Sequence, residues 1–113
     1  MQLEQRIAGS VAIITVNGDI TLNKGGDVIL KDKVQSLIQQ GQKNIVVDLG
    51  GVSYVDSAGL GQLVQAYATT KNKGGALKLL NVTKRLKDLL VVTKLLTVFD
   101  TYDDEKAALA SFN

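Results

Sequence analysis

Residues 45 to 61 read Ile45-Val46-Val47-Asp48-Leu49-Gly50-Gly51-Val52-Ser53-Tyr54-Val55-Asp56-Ser57-Ala58-Gly59-Leu60-Gly61. The first five form a short, almost continuous apolar run, as a central strand buried on both faces requires. From Leu60 the period changes. Leu60, Leu63, Val64 and Tyr67 share one face at helical spacing, and the stripe runs out near Gly74-Gly75. A buried strand that turns straight into an amphipathic helix is the repeating unit of a parallel α/β sheet.

The same alternation extends both ways. Toward the N-terminus, Val11-Ala12-Ile13-Ile14-Thr15-Val16 is rich in β-branched residues and lies between Gly9-Ser10 and Asn17-Gly18, so it predicts a strand. Leu3 to Ile7 is a weaker run that pairs with it through a turn at Ala8-Gly9-Ser10. Leu30, Val34, Leu37 and Ile38 mark one helical face, with Asp27 a candidate N-cap and Gly41 a candidate stop. Toward the C-terminus, Ala76-Leu77-Lys78-Leu79-Leu80 predicts a strand. Thr83 is placed to cap a helix whose stripe is Leu86, Leu89 and Leu90, and Thr97-Val98-Phe99 is the candidate last strand. Asp103-Asp104-Glu105 puts negative charge at the start of a final helix that turns Ala108, Leu109 and Phe112 inward. The expected architecture is an α/β fold: a mixed, largely parallel central sheet with four helices and an N-terminal hairpin, in one domain over residues 1–113.

Composition narrows the chemistry. An apolar fraction of 45% with only 4% aromatics and no Trp makes an aliphatic core, which suits a sheet covered by helices. The chain has no Cys and no His, which removes disulfides, thiolate nucleophiles, zinc-thiolate sites, imidazole bases and His-ligated metals. A formal net charge of +2 is too small to imply nucleic acid or an anionic membrane surface as a partner. Met1 to Ile7 lacks the apolar core of a secretion signal, and no apolar stretch approaches the ~20 residues a bilayer demands, so a cytoplasmic location without membrane insertion is expected. Between Lys71 and Lys94 basic residues outnumber the lone acid Asp88, as a solvated helix face or a partner-facing patch.

Ser57 stands directly before the second helix, where an N-cap belongs. Gly59 and Gly61 fall in its first turn, where each costs about 0.5–1 kcal/mol against Ala. Either another element packs tightly there or something approaches the backbone closely. Ser57 itself admits three readings. It is an ordinary N-cap, worth about 1 kcal/mol. It is a nucleophile, although Val55-Asp56-Ser57-Ala58-Gly59 lacks the first Gly of the G-x-S-x-G elbow and the chain has no His to act as base. Or it is a phosphoacceptor, exposed where orphan N–H groups and the helix dipole favour an anion.

Val55-Asp56-Ser57-Ala58-Gly59-Leu60-Gly61 resembles the signature of the STAS domain in the bacterial anti-sigma factor antagonist family. Asn17-Gly18-Asp19-Ile20 is similar to that family's Gly-acid-aliphatic element. Gly74-Gly75, Leu77-Lys78-Leu79 and the run from Leu89-Leu90 through Leu95 to Phe99-Asp100 carry the likeness along the chain. One departure is Thr21-Leu22-Asn23-Lys24-Gly25-Gly26, where many members carry a second acid or polar pair. The resemblance implies a non-enzymatic switch without a cofactor. Its unphosphorylated form binds an anti-sigma factor that is also a serine kinase with a Bergerat-type ATP site, and the sigma factor is released. Phosphorylation at Ser57 ends the binding, and a PP2C-type phosphatase reverses it. Asp56, Ser57, Ala58, Gly59, Leu60, Gly61 and Asp19 are then the expected partner-binding residues.

A second reading is a STAS-like accessory subunit of a lipid-exporting ABC-type membrane transporter, without a phosphorylation cycle; the intact Asp56-Ser57 pair favours the first. For a nucleotide-binding enzyme, neither a G-x-x-x-x-G-K-[ST] loop nor a G-x-G-x-x-G fingerprint is present, and Gly59-Leu60-Gly61 alone is a weak phosphate signal.

Overall fold

The computed structural model describes residues 2–21 and 28–112. Its elements run β1 (Gln2–Ala8), β2 (Val11–Asn17), α1 (Ile29–Gln39), β3 (Asn44–Gly51), α2 (Ser57–Asn72), β4 (Ala76–Leu80), α3 (Lys84–Val92), β5 (Thr101–Tyr102) and α4 (Glu105–Ala110). The strands lie side by side in chain order, β1-β2-β3-β4-β5. β1 is antiparallel to β2, and the other three pairings are parallel. This is the mixed α/β sheet with four helices that the alternating periods predict.

Each element follows from local chemistry. The β1–β2 hairpin closes on Ala8 opposite Val11 across a two-residue turn, tighter than the Ala8-Gly9-Ser10 turn expected from sequence. Gly9 takes φ 62 at its first central position while Ser10 stays out of the left-handed region, as a type II′ turn demands. Thr83 caps α3 as expected, its Oγ1 accepting from the Leu86 N–H at 3.3 Å. Asp104 caps α4, its Oδ1 accepting from Lys106 N–H at 3.2 Å. The candidate cap Asp27 lies outside the described residues.

The strand expected at Thr97 to Phe99 is not one. Those residues form a turn, with Val98 N–H donating to Leu95 O at 3.0 Å, and β5 starts two residues later, pairing with Leu79 and Leu80. The apolar character that suggested a strand has another use. Phe99 is buried in the core and meets the Tyr67 ring edge-on at 5.4 Å, while Thr97 and Val98 stay exposed.

Side chains alternate between two cores. Ala12, Ile14, Val16, Ile45, Val47 and Leu49 face a large one, shared with Leu30, Val34 and Leu37 of α1, Leu60, Leu63 and Ala66 of α2, and Leu86 and Leu90 of α3. Val11, Ile13, Val46 and Leu80 face a smaller one closed by Ala108 of α4. Three successive crossovers thus place α1, α2 and α3 on one face, as one direction of winding with one handedness requires. Burying a leucine such as Leu63 or Leu90 contributes about 1.5–3 kcal/mol, so the helices are fixed mainly by these stripes.

α4 is too short to hold itself and is tied down by its ends. Arg6 on β1 donates to the Glu105 carboxylate, through Nη1 at 3.2 Å and through Nη2, and each group shifts the other: the guanidinium pKa rises and the Glu105 carboxyl lies below its ordinary value. At the far end Lys78 Nζ donates to Ser111 O at 3.1 Å and Ser111 Oγ at 2.9 Å, and lies 4.6 Å from the Phe112 ring centroid. Among the described residues no helix is long and apolar enough to cross a membrane.

Candidate phosphoacceptor site at the start of helix α2

The loops that leave β2, β3 and β4 meet at the carboxyl end of the sheet. Because strand order follows chain order, there is no reversal to open the crevice that doubly wound sheets use. The site forms instead where the β3–α2 loop, the first turn of α2 and the start of α3 come together.

The β2 exit is stitched to the β3 exit by backbone. Ile20 and Val55 form a parallel bridge, Ile20 N–H donates to Tyr54 O at 2.9 Å, and Asp56 N–H donates to Ile20 O at 3.3 Å. This brings half-buried Asp19 to the same end of the sheet as Asp56 and Ser57. The bridge also explains Gly59. A Cβ built on Gly59 would stand 2.1 Å from Ile20 O and 2.8 Å from its Cγ2, so α2 reaches its seat only with a bare Cα there. Gly61 is different: a Cβ on it would meet no atom within 4 Å. The two glycines of the motif, adjacent in pattern, answer different needs. Gly59 serves packing within the chain, and Gly61 leaves backbone open at a half-exposed position.

The cap is not the one expected from sequence. Asp56, extended at φ −88 and ψ −179, is the N-cap, and its Oδ1 accepts from Gly59 N–H at 2.7 Å. Ser57 is the first helical residue. The anionic carboxylate makes the stronger, charge-assisted bond, and the Gly59–Ile20 contact sets the helix start one residue earlier than Ser57 as cap would need. The Ser57 side chain is thereby released. It is exposed, and among the described residues no hydrogen bond engages its hydroxyl. The N–H groups of Ser57 and Ala58 likewise have no partner among the described residues, as first-turn donors do.

Beside Ser57 runs a groove of about 420 Å³, walled by the 52–56 loop and α2 on one side and α3 on the other. Val52, Val55, Leu60, Leu86, Leu89 and Val92 give it a mainly apolar lining, with Arg85 and Asp88 the charges contributed by α3. Leu60 of the motif is therefore a wall of this groove as well as a core residue. Tyr54 and Val92 are 47% and 78% exposed, so the lining continues onto the surface. The α3 wall is absent from a motif-based reading. Its signal in the sequence is Val92, an apolar residue off the stripe of Leu86, Leu89 and Leu90.

The site thus combines, among the described residues, an exposed serine with no hydrogen bond at a helix start and an apolar groove beside it. The STAS domain family model matches residues 2–108, and the chain belongs to that family. It is 36% identical over 88 residues to an anti-sigma-B factor antagonist of Bacillus subtilis, covering 73% of this chain and 80% of that protein. With an anti-sigma F factor antagonist of Paenibacillus polymyxa it shares 25% over 109 residues, covering 96% of this chain and 92% of the other. The fold matches the crystal structure of an anti-sigma factor antagonist from Mycobacterium paratuberculosis at TM-score 0.83, with 18% identity and 97% and 92% of the two chains covered. It also matches the phosphorylated form of the Bacillus cell fate determinant SpoIIAA, at TM-score 0.76 and 17% identity over 99% and 100% of the chains.

Proposed function

We propose that this protein is a cytoplasmic anti-sigma factor antagonist whose binding is switched by phosphorylation of Ser57. One observation carries the reading: Asp56, not Ser57, caps α2, so the serine hydroxyl is exposed, and bound by none of the described residues, at the lip of an apolar groove. In this reading the partner is an anti-sigma factor with serine kinase activity and a Bergerat-type ATP site. It docks over Asp56, Ser57, Ala58 and the open backbone at Gly61, with Leu60 and the groove beneath and Asp19 at the edge. A PP2C-type phosphatase resets the switch. The domain itself performs no catalysis.

The physics favours a change of surface without a change of fold. A phosphate on Ser57 brings about −1.5 to −2 charges to the positive end of a helix, beside the first-turn N–H groups of Ser57 and Ala58, which no described residue accepts from. It also stands next to Asp56, which adds to the negative field a docked partner meets. If one partner carboxylate lies about 5 Å away, each pair of like charges costs about 3 kcal/mol at an effective dielectric near 20. That is about two decades of affinity for a single charge.

The reading is tested by intact-mass measurement after incubation with an anti-sigma factor kinase and ATP. The chain should gain one phosphate, and Ser57→Ala should gain none. Modification that persists in Ser57→Ala would place the switch elsewhere.

A further inference from the structure

Strand β1 is an open edge. Gln2, Glu4, Gln5, Arg6 and Ile7 are all exposed along it, and no hydrogen bond among the described residues reaches its outer side. The phase of that edge is fixed by the hairpin. Ala8 and Val11 close a two-residue turn and so form a hydrogen-bonded pair, after which bonded and non-bonded pairs alternate. Arg6, Glu4 and Gln2 therefore spend their backbone groups on β2, while Ile7, Gln5 and Leu3 direct theirs outward. Burial agrees with this alternation: Leu3 packs against the large core, and Ala8 against the small one.

We propose that β1 pairs antiparallel with β1 of a second copy of this chain, about a twofold axis at Gln5. Only outward-facing residues can be bonded partners, which leaves few symmetric registers. Centring on Glu4 sets Glu4 against Glu4, and centring on Arg6 sets Arg6 against Arg6. Like charges directly opposed are unfavourable, and both registers also shorten the overlap. Centring on Gln5 pairs Leu3 with Ile7, Gln5 with Gln5, and Glu4 with Arg6, each across the axis. Every pair is complementary. Glu4 and Arg6 then occupy non-hydrogen-bonded positions, where side chains approach most closely. Arg6 keeps donors to spare beyond its bond to Glu105, since a guanidinium carries five.

The other sheet edge argues for a closed pair rather than a filament. β5 has only two residues, too few to receive β1 head to tail. Charged side chains usually protect an edge strand; here their alternating sign excludes the other registers and selects one.

Sedimentation equilibrium over micromolar to millimolar concentration tests this. The full chain should pass reversibly from its own mass to twice that mass. Glu4→Arg should weaken the association at least tenfold, and the triple variant Glu4→Arg, Arg6→Glu and Glu105→Arg, which exchanges the charges of the Arg6–Glu105 pair as well, should restore it. Because the chain has no Cys, Gln5→Cys adds a single thiol at the axis, which should give a disulfide-linked dimer on mild oxidation. A chain that stays monomeric throughout, or a dimer unaffected by Glu4→Arg, would overturn the proposal. Both results are independent of the phosphorylation of Ser57.

Discussion

Ser57→Asp is expected to bind an anti-sigma factor kinase about a hundredfold more weakly than the parent chain, while Ser57→Ala binds as the parent does. The expectation rests on charge. A carboxylate placed at the exposed first position of α2 adds one negative charge, and a like charge about 5 Å away on the partner is worth about 3 kcal/mol at an effective dielectric near 20. Neither substitution should disturb the fold. The cap is made by Asp56 to Gly59 at 2.7 Å, so removing the Ser57 hydroxyl removes no cap. Both variants should unfold within about 0.5 kcal/mol of the parent, as surface substitutions do. Isothermal titration against the partner, beside urea unfolding of each variant, separates the two effects. Equal affinities of the Asp and Ala variants would refute the electrostatic switch.

Gly59→Ala is expected to lower stability. The new Cβ would lie 2.1 Å from Ile20 O, a backbone atom held by the Ile20–Val55 bridge. A carbonyl in that position cannot swing aside as a flexible side chain can. Forced contacts of this kind cost about 1–3 kcal/mol, and more where the backbone is pinned. Each kcal/mol lowers Tm by about 4–8 °C in a small domain. Gly61→Ala, two residues on, should do the reverse: its Cβ meets nothing within 4 Å, and replacing a helical glycine gains about 0.5–1 kcal/mol. Thermal melts of the two variants should therefore move in opposite directions. Equal shifts would mean that the Gly59–Ile20 approach does not govern how α2 is seated.

Much of this was legible in sequence because period encodes burial. The change from the run Ile45 to Leu49 to the helical stripe of Leu60 and Leu63 has few solutions other than a buried strand followed by a helix on the sheet. Thr83 and the acid cluster at Asp103 to Glu105 marked their helix starts for the same local reason. What sequence left open depended on contacts across the fold. Asp56 and Ser57 are both good caps, and only the approach of Gly59 to Ile20 sets which of them precedes the helix. Phe99 looked like strand because its apolar neighbours do, yet its place is fixed by the Tyr67 ring. Gly59 and Gly61 look alike in one dimension, and what lies above each Cα tells them apart. The groove was invisible for a similar reason, since its two walls are separated along the chain and meet only when β4 lies beside β3.

The proposed switch requires Ser57 to be released from capping, so the most direct test compares one preparation of the chain with and without phosphate on that residue. Its affinity for the anti-sigma factor kinase should fall at least a hundredfold on phosphorylation and recover fully on dephosphorylation, with far-UV circular dichroism unchanged. Equal binding by the two forms would contradict the account.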